Sequence, residues 1–277
     1  MSYTAQISRG NPTAFLFLID QSGSMTELLS TGKSKADQVA DVLNRTLATL
    51  ITRCAKAEGT RDYFDIGVIA YGYDGATNGF QGALGDRIMH PISEIEANPL
   101  RIEERTRKMD DGCGGIIESS VKFPVWFEPK AYGGTPMCEA IELAAREMAD
   151  WCDAHPDSYP PTVLHITDGE SGDGNPEELA KILAQMNTND GNVLMFNLHV
   201  SGTEAKPIEF ASCERGLPDD YAKLLFRMSS QLPEHLIHFT REKGFYVDPE
   251  GRGFMFNADA VQIVDFFDIG TRAAQLR

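Results

Sequence analysis

The apolar run Ala14-Phe15-Leu16-Phe17-Leu18-Ile19 ends abruptly in a carboxylate, Asp20. Six residues are too few for a buried helix and suit a strand covered on both faces. A second run, Val163-Leu164-His165-Ile166-Thr167, ends the same way in Asp168-Gly169. Strand-like runs alternate with helical ones along the whole chain. That alternation predicts an α/β fold: a Rossmann-like, open, mostly parallel central sheet with helices on both faces. In such sheets ligands bind outside the carboxyl ends of the strands, where the strand order reverses. Asp20 and Asp168 both end strands of this kind.

The spacing of apolar residues predicts the elements. Ala36, Val39, Ala40, Leu43, Leu47, Leu50, Ile51 and Cys54 recur three and four apart, giving a helix over 34–57 that Ser34 caps and Gly59 follows. Tyr63 to Tyr71 reads as a strand, Gly72-Tyr73-Asp74-Gly75 as a turn, and Phe80 to Leu84 as a weak returning strand. Leu100 to Met109 is charged and is expected to be a short exposed helix, Asp110 to Gly115 a turn, and Ile116 to Phe127 strand-like. Met137 to Trp151 is a second amphipathic helix. Pro176 sits near the start of a helix through Met186, and Asn192 to Val200 is a strand. Ala222 to Met228 and Gln231 to Phe239 are helical. Phe254 to Phe256 is expected to be a last edge strand, and Asp259 to cap a final helix with Val261, Val264, Phe267 and Ala274 apolar. The whole, 1–277, is expected to be one domain, with an elaboration at about 72–134 and a C-terminal extension made of the last strand and helix.

Asp20-Gln21-Ser22-Gly23-Ser24-Met25 offers one carboxylate and two hydroxyls from a single tight turn. Hard divalent cations such as Mg2+ take oxygen ligands in octahedral array. Gly133-Gly134-Thr135-Pro136 opens a helix and adds another hydroxyl. Each residue alone has a plainer use: Asp20 and Asp168 as turn formers, and Ser22, Ser24 and Thr135 as caps of backbone groups. Taken in order along the chain, D-x-S-x-S, G-G-T and T-D-G resemble the metal-ion-dependent adhesion site of the von Willebrand factor type A family. The resemblance implies that Ser22, Ser24 and Thr135 hold Mg2+, or Mn2+ or Ca2+, through hydroxyls, with Asp20 and Asp168 acting directly or through water. It also implies an acidic partner side chain that completes the coordination, and a sheet with one antiparallel strand. Glu170 and Asp173, further along the same loop, lack the spacing of an EF-hand and read as a solvated acidic loop.

Lys plus Arg total 25 against 41 Asp plus Glu, a net charge of −16. Such a surface repels phosphate backbones and anionic membranes, so neither nucleic acid nor membrane is an expected partner. Cys54, Cys113, Cys138, Cys152 and Cys213 are odd in number and lack zinc spacing. Residues 1–12 lack an apolar signal core. Both features suit a reducing, cytoplasmic setting. No G-x-S-x-G, G-x-x-x-x-G-K-[ST] or H-E-x-x-H pattern occurs, and Cys113-Gly114-Gly115 has no catalytic context. The expectation is a protein-interaction module rather than an enzyme. By resemblance to intracellular bacterial members of the tellurite-resistance type, it is an adaptor beside an AAA+ ATPase, kinase or phosphatase in a stress response. The alternative is a Mg2+-dependent phosphatase or hydrolase using the same carboxylates.

Overall fold

The computed structural model describes residues 3–110, 116–201 and 206–272, without the side chains of 107–110 and 116–119. Its elements in chain order are β1 (Thr13–Asp20), α1 (Lys35–Cys54), β2 (Ala55–Lys56), β3 (Gly59–Thr60), β4 (Phe64–Gly72), β5 (Gly75–Asn78), β6 (Met89–Pro91), α2 (Ile92–Ala97), β7 (Arg101–Asp110) and β8 (Ile116–Val125). There follow α3 (Met137–Ala154), β9 (Thr162–Thr167), α4 (Glu177–Leu183), β10 (Leu194–Val200), β11 (Ile208–Glu209), α5 (Asp220–Met228), α6 (Glu234–Glu242), β12 (Phe254–Ala258) and α7 (Ala260–Gly270).

The main sheet runs β11-β12-β10-β9-β1-β4-β5, with β6 also paired to β4. Strands β12, β10, β9, β1 and β4 are parallel, and antiparallel pairing is confined to the short flanking strands β11, β5 and β6. Every residue of β1 is buried, because the sheet is covered on both faces. Phe15, Phe17 and Ile19 pack with α1 and α7 on one side, while Leu16 and Leu18 pack with α3 and α5 on the other. The chain leaves β1 for β4 on one side and later enters β9 on the other. The strand order therefore reverses at β1, between the carboxyl ends that carry Asp20 and Asp168.

The ends of the helices follow from their sequences. Ser34 accepts the Asp37 N–H at the start of α1. Asp259 and Gln262 form a reciprocal capping box on α7.

Four expectations are corrected. Leu100 to Met109 is not a helix: 101–110 is a strand paired residue by residue with 116–125. Strand partners supply its backbone hydrogen bonds, and this tertiary pairing overrides local propensity. The strand returning from β4 is Gly75–Asn78, and Gly82–Leu84 is a 3-10 turn. The first helix stops at Cys54 because Ala55 turns extended and pairs with Thr60. β12 is interior, flanked by β10 and the edge strand β11. Cys113, Gly114, Gly115 and Ala274 lie outside the described residues.

Candidate metal centre

Three loops converge over the carboxyl ends of β1 and β9, and backbone hydrogen bonds tie them together. Tyr132 N–H donates to the Gln21 carbonyl (2.7 Å), Gly23 N–H to that of Gly133 (2.9 Å), and Gly172 N–H to that of Thr135 (2.8 Å). Gly72 and Gly133 permit this approach. A Cβ on Gly72 would lie 2.9 Å from the Gln21 oxygen, and one on Gly133 (φ +85°) would lie 2.5 Å from Tyr73 Cα.

Within this frame the five sequence-predicted residues face one another in part. Ser22 and Ser24 Oγ are 3.0 Å apart, and the Ser24 hydroxyl donates to Asp168 Oδ1 at 2.6 Å. Asp20 lies beneath them, fully buried. Its Oδ1 accepts the Ser22 N–H (2.8 Å) and its Oδ2 the Thr167 hydroxyl (2.7 Å). Burial pushes the Asp20 carboxyl up to about 6, against the hydrogen bonds from Ser22 and Thr167 that favour the anion. Thr135 is more loosely placed. A Cβ on Gly169 would lie 3.8 Å from Ser24 Oγ and 3.9 Å from Thr135 Oγ1, so both hydroxyls border the space above Gly169.

The donor set is compatible with a small hard cation in type and in spacing. Oxygens about 2.1 Å from Mg2+ in an octahedron lie about 3 Å from their neighbours. The Ser22–Ser24 and Ser24–Asp168 separations of 3.0 and 2.6 Å are near that edge length. Among the described residues no three His, Cys, Asp or Glu side chains converge as a metal site. The convergence here is of hydroxyls and two carboxylates, which suits Mg2+ better than a softer ion.

Sequence reasoning missed three participants. Lys35 Nζ lies 2.8 Å from Asp168 Oδ2 and is also ion-paired to Glu27. The signal was available: a lysine in the first turn of a helix opposes the helix dipole and calls for a specific anion. Thr167 holds Asp20, as described. The third is Asp173, read as part of a solvated loop. It accepts the N–H groups of Cys138 (3.0 Å) and Glu139 (3.0 Å), capping α3 from the loop after β9. Its carboxyl is held low: burial opposes its charge, but these N–H donors outweigh it. On the rim, Tyr73 and Tyr132 are 65% and 63% exposed, and their rings meet at a tilt of 41° with centroids 4.5 Å apart.

No protein-family model and no curated protein sequence matches the chain. Solved structures do. The pilus adhesin SpaC from Lactobacillus rhamnosus GG aligns over 93% of this chain at 12% identity with a TM-score of 0.51. The chain spans 30% of that adhesin's length. The TRAP protein of Plasmodium vivax, solved manganese-loaded, aligns over 93% of this chain and 72% of its own, at 12% identity and a TM-score of 0.43. The vWF domain of the type V pili tip protein Mfa5 from Porphyromonas gingivalis aligns over 58% of this chain and 39% of its own, at 14% identity and a TM-score of 0.32. At such identities the likeness concerns the fold alone. The alignment with SpaC shows that the chain shares its fold with part of that adhesin.

Proposed function

We propose that the chain is a divalent-cation-dependent protein-interaction module. Ser22, Ser24 and Thr135 would hold Mg2+, with Mn2+ or Ca2+ as substitutes, and Asp20 and Asp168 would act directly or through water. The observation that carries this reading is the mutual contact of the Ser22, Ser24 and Asp168 oxygens over the fully buried Asp20. When bound, such an ion supplies a positive docking point for a partner's Glu or Asp. The rest of the task falls to this chain's residues. Thr167 and the Ser22 N–H fix Asp20 in one orientation, and the interlocked loops hold the hydroxyls in place before any partner arrives. The exposed Tyr73–Tyr132 pair would offer the partner an aromatic surface on the rim of the site.

An adaptor working in the cytoplasm, beside an ATPase, kinase or phosphatase of a stress response, belongs to the same proposal. What favours the reducing compartment is that the four described cysteines are free thiols.

The test is a calorimetric titration of Mg2+ and Mn2+ into the protein and into Asp20→Asn and Thr135→Ala, each with a folded circular-dichroism spectrum. Binding by the wild type and its loss in both variants is expected. Equal affinity in all three would sink the assignment.

A further inference from the structure

Lys35 is an unusual residue to bury. It opens α1, where its charge meets the positive end of the helix dipole. Yet it is only 4% exposed. Burial works against its ammonium, but the hydrogen bonds to Asp168 and Glu27 outweigh that and hold its pKa above the usual lysine value. The three groups form a line from the interior outward: Asp168 with a fully buried side chain, Lys35, then Glu27 with its side chain 55% exposed. Asp168 is thus shared, with Oδ1 facing Ser24 and Oδ2 facing the ammonium.

The charges set the consequence. Asp20 and Asp168 give the inner site −2, and Lys35 brings it to −1; Glu27, on the far side of the ammonium and half exposed, is screened by solvent and offsets only part of that positive charge. A divalent cation beside Ser22, Ser24 and Asp168 Oδ1 would lie one carboxylate's width from a fixed positive charge. In a partly desolvated site, like charges at that range weaken each other's binding. Once loaded, the same site would carry +1 rather than zero, which favours a further anion.

Resting on the metal reading above, we infer that Lys35 is a positioning residue that sets the charge of this centre. It holds Asp168 by one oxygen, lowers the intrinsic affinity for the cation, and so couples firm cation binding to the arrival of a carboxylate ligand. The partner then contributes to holding the metal as well as being held by it, a reciprocity that linkage requires.

The experiment is a Mn2+ titration followed by electron paramagnetic resonance of the free ion, with and without acetate in the tens of millimolar as the carboxylate probe. The proteins are wild type, Lys35→Met and Glu27→Gln. Lys35→Met is expected to bind Mn2+ roughly tenfold tighter or more and to lose the acetate enhancement that the wild type shows. Glu27→Gln removes the outer carboxylate that offsets the ammonium, and is expected to bind a few-fold more weakly. A lysine that serves only the fold predicts the opposite sign, weaker binding on its loss. Equal or weaker Mn2+ binding by a folded Lys35→Met overturns the inference. Should Lys35→Met fail to fold, Glu27→Gln decides the matter, and unchanged or tighter binding there overturns it. Failure of the wild type to bind Mn2+ at millimolar concentration overturns the metal reading itself, and this one with it.

Discussion

The pole that carries the candidate metal centre and the β7–β8 ribbon both lean on α1, six residues apart at Lys35 and Asp41, and they are ordered by different means. At the pole, short loops leave rigid parallel strands and are fastened to one another by backbone hydrogen bonds. The ribbon is held chiefly by its own ten-residue pairing. Among its described side chains a few moor it. Asn44 receives the N–H groups of Trp126 (2.8 Å) and Phe127 (3.0 Å), Trp126 Nε1 donates to the Ile95 carbonyl (2.6 Å), and Arg105 pairs with Asp41. Arg105 also lies over the Phe123 ring at 3.5 Å. The contrast teaches that dense local constraint fixes a site, whereas a ribbon is fixed by a partner strand and a handful of anchors.

The contrast can be broken or sharpened by experiment. The largest effect is expected at the pole: Asp20→Asn should lower Mn2+ affinity roughly a hundredfold while barely moving the thermal midpoint, and a drop in both would mean that the pole and the fold are not separable. Next is the ribbon's root. Asn44→Ala leaves buried N–H groups of Trp126 and Phe127 without an acceptor and should cost about 3 kcal/mol in urea unfolding, with Mn2+ binding retained.

A comparable loss is expected from acid. His165 is buried inside β9, where its Nδ1–H faces Asn197 Oδ1 (2.8 Å) and its Nε2 accepts from the Tyr71 hydroxyl (2.6 Å). Burial, against the bond to Asn197, holds its pKa down at about 4. The unfolded chain therefore takes up this proton first, and stability present above pH ~6.5 is lost as the pH falls toward 4, by about 3 kcal/mol. Unfolding of wild type and His165→Gln as a function of pH checks this: the wild type should show the steeper decline, and parallel curves would refute it. The smallest effect is expected at the ribbon's surface. Arg105→Ala should cost about 1 kcal/mol, since Arg45 and Lys33 still face Asp41, and it should leave Mn2+ affinity alone.

The same contrast explains what the sequence disclosed. A strand such as Ala14–Ile19 has one stable environment, so its burial, its end at Asp20 and the neighbouring hydroxyls were readable from a few consecutive residues. Met137 to Trp151 was readable too, because its apolar face repeats at the helical period. Arg101-Ile102-Glu103-Glu104-Arg105 carries no such mark. Its state is decided by Val121 to Val125, some twenty residues on, and pairing over that distance leaves no local periodicity. The two-residue strand β11 is equally silent, and without it β12 reads as the edge. Lys35 illustrates a subtler loss. Its position at the start of α1 was visible, but its role depends on the fold bringing Asp168 against it from 133 residues away.

The flanking strands β5, β6 and β11 are four, three and two residues long. Interior strands of parallel sheets are apolar on both faces and would template aggregation if exposed at an edge. Here an incoming chain meets only a few free peptide groups before the sheet ends, on a molecule that already repels its own copies by charge. A protein built this way can be concentrated without growing into fibres, so long as these short borders stay in place.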